Sequence, residues 1–227
     1  MKPLTEILQR QPSFAKVINS PLPYKLLDFS KSNSDLLNRD LSETAVFTDY
    51  VFREMLDHST YIGIGGYGEN RVIYRQLDHF SRQEENPRCI HLGVDIWAPA
   101  GENIFTPLDG KVHSFAFNDH LGDYGPTIIL EHELEIVKFY TLYGHLSLTS
   151  IDDLQEGKAF LAGEKIAEIG NYPENGNWPP HLHFQIISDI KDYEGDYPGV
   201  CSFKDKDYFF SICPDPGLLL RIDSYSE

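Results

Sequence analysis

From Arg88 onward the chain breaks into short runs of β-branched and aromatic residues separated by Gly, Pro and Asp-Gly. That texture restricts the region to an antiparallel, mainly β domain. Asp109-Gly110 predicts a tight turn between the runs Glu102 to Pro107 and Lys111 to Phe117. Thr127 to Glu131 and Ile136 to Leu142 flank a short acidic connection and predict a second hairpin. Ala100-Gly101-Glu102-Asn103-Ile104 is echoed by Ala162-Gly163-Glu164-Lys165-Ile166, a sign of a two-part β architecture. Past Ile187 the chain turns acidic and aromatic and ends in the apolar run Leu218 to Leu220, a tail expected to pack on the β domain.

The first part of the chain reads differently. Leu4, Ile7, Leu8, Phe14, Val17 and Ile18 recur at helical spacing, which Pro12 divides into two short pieces. Lys25 to Leu41 is mixed and reads as irregular with one short helix. Ser42 is placed to cap a helix carrying Val46, Phe47, Tyr50, Val51, Met55 and Leu56. Residues Ile62 to Arg71 are dense in glycine but lack the strand, lysine and helix context of a phosphate-binding loop. Two readings stay open there. One is a flexible loop, and the other puts Tyr67, Asn70 or Arg71 at the mouth of an active site.

A net charge of −16 repels phosphate backbones and anionic lipid heads, so nucleic acid and membrane surfaces are not expected partners. Polar residues interrupt the amino terminus before a signal-peptide core can form, and there is no transmembrane-length apolar stretch. Three cysteines, Cys89, Cys201 and Cys213, suit a reducing compartment better than a disulfide framework. The expected location is the cytoplasm.

Four of the nine histidines lie in settings that invite chemistry. On a strand, His181 and His183 of His181-Leu182-His183 share one face while Leu182 and Phe184 take the other. His91-Leu92-Gly93-Val94-Asp95 sets a carboxylate four residues after an imidazole. On a straight strand the two would be about 13 Å apart, too far for one ion with ligands at about 2 Å. A bend at Gly93 would bring them together. His91, Asp95 and one histidine of the 181/183 pair make three ligands, the usual number at a zinc centre that leaves a position for water. The donor set favours zinc without excluding manganese, cobalt or iron. The remaining histidine, with His145, could move protons or steady developing charge. Trp178 is a candidate groove wall or ordinary packing. His58, His79, His113, His120 and His132 have no such partners and read as structural or surface residues.

Several motifs run in a fixed order: His91-x-x-x-Asp95, Ala98-Pro99-x-Gly101, Asp109-Gly110-x-Val112, Tyr124-Gly125, Tyr143-Gly144-His145-Leu146-Ser147, Gly163-x-x-Ile166 and His181-Leu182-His183-Phe184. From Arg88 to Ile187 this order resembles the lysostaphin/LytM family of zinc endopeptidases. The resemblance implies that His91, Asp95 and His183 bind zinc and that His145 and His181 are the two further active-site histidines. It implies a β-sheet domain of the duplicated barrel-sandwich hybrid type with a long groove. It also implies cleavage of peptide bonds in peptidoglycan. Where family members commonly have Thr-Gly-Pro-His-Leu-His-Phe-Glu, this chain approaches through Asn177-Trp178-Pro179-Pro180 and follows Phe184 with Gln185. That wording is similar to a cytosolic subgroup also found as the middle domain between a kinase-like domain and an aminotransferase.

The organisation expected is a helical N-terminal extension over residues 1–60, a LytM-like β metallopeptidase domain over 61–190 and a packed tail over 191–227. The expected activity is zinc-dependent hydrolysis of a peptide or small amide. The alternative is a non-catalytic peptide- or glycan-binding module with a structural or vestigial metal.

Overall fold

The computed structural model describes residues 3–76 and 86–221, so His79 lies outside the described residues. The chain is mainly β. Its strands begin with β1 (Tyr24–Leu27), β2 (Ile62–Gly65), β3 (Arg88–His91), β4 (Val94–Trp97), β5 (Asn103–Phe105) and β6 (Gly110–Asn118). They continue with β7 (Gly125–Leu134), β8 (Val137–Gly144), β9 (Ala159–Phe160), β10 (Lys165–Glu168), β11 (Leu182–Ile187) and β12 (Val200–Ser202). Eight of them form one sheet in the order β1-β2-β4-β11-β8-β7-β6-β9, antiparallel throughout except for the parallel pair β1 and β2. Two small ribbons, β5 with β10 and β3 with β12, complete the strands.

Alternation along the strands gives the large sheet two unlike faces. Ile62, Ile64, Val94, Ile96, Leu182, Phe184 and Ile186 turn to one side and form the main core. Helices α1 (Leu4–Arg10) and α4 (Gly217–Leu220) close over it through Leu4, Leu8 and Leu219. The intervening residues, Asp95, Trp97, His183 and Gln185, project from the opposite face. A slip of one residue would drive Asp95 and His183 into the apolar core, so the hydrophobic pattern sets the register.

Two smaller clusters flank the polar stretch on that second face. The N-terminal segment supplies one, with Phe29, Phe47 and Tyr50 packed around Trp97 and Trp178. Tyr124, Ile129, Leu142, Tyr197 and Cys213 form the other. Between these flanks lie His91, His145, His181 and His183, all four buried.

Several sequence expectations change. The N-terminal segment is not purely helical: it places β1 at the edge of the large sheet, parallel to β2, which in turn lies next to β4. The glycine-rich stretch is thus a buried strand at its start, not a flexible loop. Its glycines are steric, since a Cβ on Gly63 would come within 2.9 Å of the Trp97 side chain. Helix α2 (Thr44–Asp49) starts after Glu43, and the Ser42 amide instead donates to Asp40 Oδ1 at 3.0 Å. The helix then runs on as a π-helical turn, Tyr50–Met55. Residues 15–18 are extended along β5, where Phe105 N donates to Val17 O at 2.9 Å and Ile18 bridges Ile104. A tertiary backbone partner there displaces the second helical piece. The tail adds β12 to β3, followed by α3 (Lys206–Ile212).

Thr127 to Glu131 and Ile136 to Leu142 do form a hairpin, β7 with β8. The runs around Asp109-Gly110 do not pair with each other: β5 joins β10, and β6 joins β7 and β9. Gly110 is required for another reason, because a Cβ there would lie 2.5 Å from the His132 ring. The repeated five-residue motif reappears as two turns in reciprocal register. Gly101 N and Gly163 N donate to Ile169 O and Thr106 O, while Ile169 N and Thr106 N donate to Glu102 O and Glu164 O. Both glycines take positive φ, +82° and +81°, which explains why the echo keeps them.

His132 is buried between Asp109 O at 2.8 Å and Thr141 Oγ1 at 2.7 Å. Burial lowers its pKa to about 4. An unfolded histidine takes its proton near pH 6.5, so the unfolded state gains protons first as the pH falls. Stability is therefore lost on going down from about pH 6.5 to about pH 4. Between pH 7 and about pH 4.5 the wild type is expected to lose about 2 to 3 kcal/mol more than His132→Gln in urea titrations.

Candidate metal centre

Asp95 on β4 and His183 on β11 are direct cross-strand partners. The same row continues to Gly65 on β2 and to Gly144 on β8. Neither flanking position has room for a side chain. A Cβ on Gly65 would meet the Arg71 guanidinium at 2.6 Å, and one on Gly144 would meet the Tyr124 ring at 2.5 Å. His91 arrives from β3. The Leu92-Gly93 corner between β3 and β4 folds it back onto Asp95, and a Cβ on Gly93 would strike the His183 ring at 2.6 Å. The expected bend at Gly93 is present.

The outcome is a tight triad. His91 Nε2 lies 3.2 Å from Asp95 Oδ1, His183 Nδ1 lies 3.2 Å from the same oxygen, and the two nitrogens are 3.0 Å apart. The protons of these imidazoles are committed elsewhere. His91 Nδ1 donates to Gly66 O at 3.0 Å, which leaves Nε2 as its lone-pair atom. His183 Nε2 donates to Gln185 Oε1 at 2.9 Å, which leaves Nδ1. The orientation of Gln185 is set in turn, because its Nε2 donates to Pro198 O at 3.1 Å and to Cys213 Sγ at 3.4 Å.

Three acceptors thus converge with no hydrogen among them, which is repulsive unless a cation lies between. Tetrahedral ligands about 2.0 Å from an ion stand about 3.3 Å from one another, close to the separations here. The donor set, its protonation and its spacing fit a metal ion, and His91, Asp95 and His183 are the residues that would hold it. Burial pushes the His91 pKa down to about 4, so its ring is neutral near pH 7. Burial alone would push Asp95 up, but Arg71 foremost holds its carboxyl well below the usual range.

The other two histidines sit beside the triad. His145 Nδ1 donates to Asn175 O at 2.8 Å and His181 Nδ1 to Pro179 O at 2.7 Å, so each keeps Nε2 as its basic atom. Their rings are 4.3 Å apart, and His181 stacks on Trp97 at 4.1 Å. His181 Nε2 reaches to 3.8 Å from Asp95 Oδ2. Burial lowers His181 to about 4 and takes His145 well below its ordinary value, so both are neutral and able to accept a proton. His145 holds φ at +63°, a left-handed conformation uncommon outside glycine. Backbone bonds from its N–H to Tyr124 O and from Gly170 N–H to its carbonyl fix that conformation and aim the ring.

Asp95 and His183 of the triad line a cavity of about 230 Å³ together with His145, His181 and Trp178. Arg71 also lines it, but its guanidinium is engaged: it donates to Asp95 Oδ2, to Glu69 Oε2 at 2.8 Å and to the Tyr74 hydroxyl at 3.0 Å. Tyr67 and Asn70 are not among the lining residues. Tyr67 instead donates its hydroxyl to Cys213 O at 2.6 Å and packs on Phe210. Two supporting residues carry no sequence signal of their own, Gln185 and Asn175, and Tyr124 enters only through the Tyr124-Gly125 motif. Gln185 showed only as a departure from Glu, and Asn175 supports His145 through its backbone carbonyl. Replacing Gln185 by leucine is expected to weaken metal binding by about 10- to 100-fold, measured by competition with a chromophoric chelator.

No curated protein sequence matches the chain. Among solved structures, it is similar to a zinc-containing peptidase from Vibrio cholerae, with 27% identity over 43% of this chain and 27% of that one, at a TM-score of 0.33. It is similar to the catalytic domain of a prophage-encoded M23 protein from Enterococcus faecalis, with 19% identity over 48% and 79% and a TM-score of 0.37. The catalytic domain of lysostaphin from Staphylococcus simulans shares 20% identity over 53% and 80%, with a TM-score of 0.36. The chain therefore spans about a quarter of the length of the Vibrio relative. No helix among the described residues is long and apolar enough to cross a membrane. The part of the chain that carries His91, Asp95, His145, His181 and His183, residues 89–194, matches the model of peptidase family M23.

Proposed function

We propose that this protein is a zinc-dependent metallopeptidase that hydrolyses peptide or amide bonds. One observation carries the reading: three lone-pair ligand atoms of His91, Asp95 and His183 converge beside two further neutral histidines on the wall of one cavity. Zinc bound there supplies a Lewis acid that polarises a carbonyl and brings the pKa of water toward neutrality. The protein's own groups divide the remaining work. Gln185 and Gly66 O hold the ligand rings in the tautomers that point lone pairs inward. His145 Nε2 and His181 Nε2 take and return protons, and the ring that has taken a proton at Nε2 donates to the oxyanion that develops on the substrate carbonyl. Trp97, stacked on His181, keeps that ring in place.

For the substrate we propose peptides or small amides, with peptidoglycan-derived peptides as the class to test first. Three buried cysteines that form no disulfide support a reducing location such as the cytoplasm, in line with the cytosolic subgroup. The test is to measure bound metal, then hydrolysis of muropeptides and a broad peptide panel before and after chelation. Metal-dependent hydrolysis supports the reading. Equal inertness of wild type and His145→Ala overturns it, and tight peptide capture without hydrolysis would favour the non-catalytic binding module.

A further inference from the structure

We infer that the site takes short peptides or compact amides end-on and excludes a polypeptide that continues on both sides of the scissile bond. The inference rests on the peptidase reading and concerns the shape of the same cavity. Its main support is a strap, residues 195–200, that crosses the catalytic face of the sheet. At one end Gly195 N donates to Ser114 Oγ and Asn118 Nδ2 donates to Gly195 O, both at 2.9 Å, which ties the strap to β6. At the other end Leu92 N donates to Gly199 O at 2.8 Å and Val200 pairs with His91 on β3. In between, Pro198 O receives the Gln185 amide above β11. The strap runs close to the site: a Cβ on Gly199 would lie 1.9 Å from the Tyr124 hydroxyl and 3.3 Å from the His183 ring.

The opposite side is walled by Tyr74 and Trp178. Tyr74 and Trp178 pack edge to face at 6.2 Å, and Phe47 braces Trp178 from behind. A third side is the loop at Gly122, whose amide donates to Gly176 O at 2.9 Å. These walls rest on several backbone hydrogen bonds and buried ring contacts, so they belong to the folded state. The cavity is about 230 Å³. With the radius of a water molecule added on each side, a sphere of that volume is about 10 Å across, and an extended chain advances about 3.4 Å per residue, so about three residues fill it. Pockets for drug-sized ligands run to roughly 300–1,000 Å³. An extended strand lying between the strap and Trp178 would run into the loop at Gly122, which also lines the cavity.

The test uses zinc-loaded full-length protein and a ladder of acetylated, amidated alanine-glycine peptides from dipeptide to decapeptide, with a cyclic decapeptide that has no ends. Product analysis reports hydrolysis, and fluorescence of Trp97 and Trp178 reports binding. The short peptides are expected to be cleaved and bound at least about tenfold better than the cyclic decapeptide, and the linear decapeptide to be trimmed only from an end. Tyr193→Ala, at the exposed rim of the cavity, is expected to raise the ratio of decapeptide to dipeptide turnover several-fold. Interior cleavage of the cyclic peptide at the dipeptide rate, or equal binding of the two, overturns the inference. If no peptide is hydrolysed the peptidase reading falls, and the fluorescence arm decides the size question alone: a tenfold preference for short peptides supports the inference, and no binding to any of them overturns it.

Discussion

His145→Ala protein is expected to bind metal with the stoichiometry of wild type and to lose about 10²- to 10⁴-fold in kcat on any peptide the wild type hydrolyses. The reason lies in how the ring is held. His145 is not one of the three converging ligands, and its Nδ1 proton is committed to Asn175 O, so its removal takes away a basic Nε2 without disturbing the triad. The positive φ of the residue and its two backbone bonds place the ring against His181, not out over the cavity rim. Asn175 in turn is anchored by hydrogen bonds to Gly170 O and to both backbone groups of Trp178. Metal content by atomic emission and steady-state kinetics check the outcome together. Loss of metal along with activity would reassign His145 to the ligand set, and full activity would remove it from the chemistry.

The second large effect is expected at Arg71. Its side chain is essentially buried and bridges two carboxylates, Asp95 and Glu69. Burial pushes the Glu69 carboxyl up, with Arg71 opposing that push, so removal of the guanidinium leaves two acidic groups without a counter-charge. Breaking a buried pair by deleting one partner costs about 3 to 5 kcal/mol. Arg71→Met, which keeps the length of the side chain, is expected to lose that much stability in urea unfolding of the metal-free protein. Arg71→Lys is expected to recover only part of it, because an ammonium cannot reach Asp95, Glu69 and the Tyr74 hydroxyl at once as the planar guanidinium does. A loss below about 1 kcal/mol for Arg71→Met would show that the ion pair contributes little.

Arg71 also illustrates where sequence reading stops. Its place in a glycine-rich stretch suggested the mouth of a site, yet its partner Asp95 is 24 residues away and the space for its head is the missing side chain of Gly65. The strand Ile62–Gly65 carries no alternation of side chains in its sequence for a related reason: its glycines face Trp97 and Arg71. Likewise Asp109-Gly110 has the composition of a hairpin turn. Its glycine answers to the His132 ring, a contact that only the packed sheet creates.

By itself the sequence determined the mainly β character of the chain from Arg88 onward, the β7–β8 hairpin, the Gly93 bend and the candidacy of His91, Asp95 and one histidine of the 181/183 pair as ligands. These are set by period-two alternation, short spacings and residue chemistry, all of them local quantities. Tertiary structure alone decided that the N-terminal segment joins the same sheet, that Arg71 neutralises the buried Asp95 carboxylate, that Gln185 selects the tautomer of His183, and that a strap from the tail walls the cavity. Each of these depends on where distant backbones meet. The packing free energy of the whole core chooses that, and no window of sequence contains it.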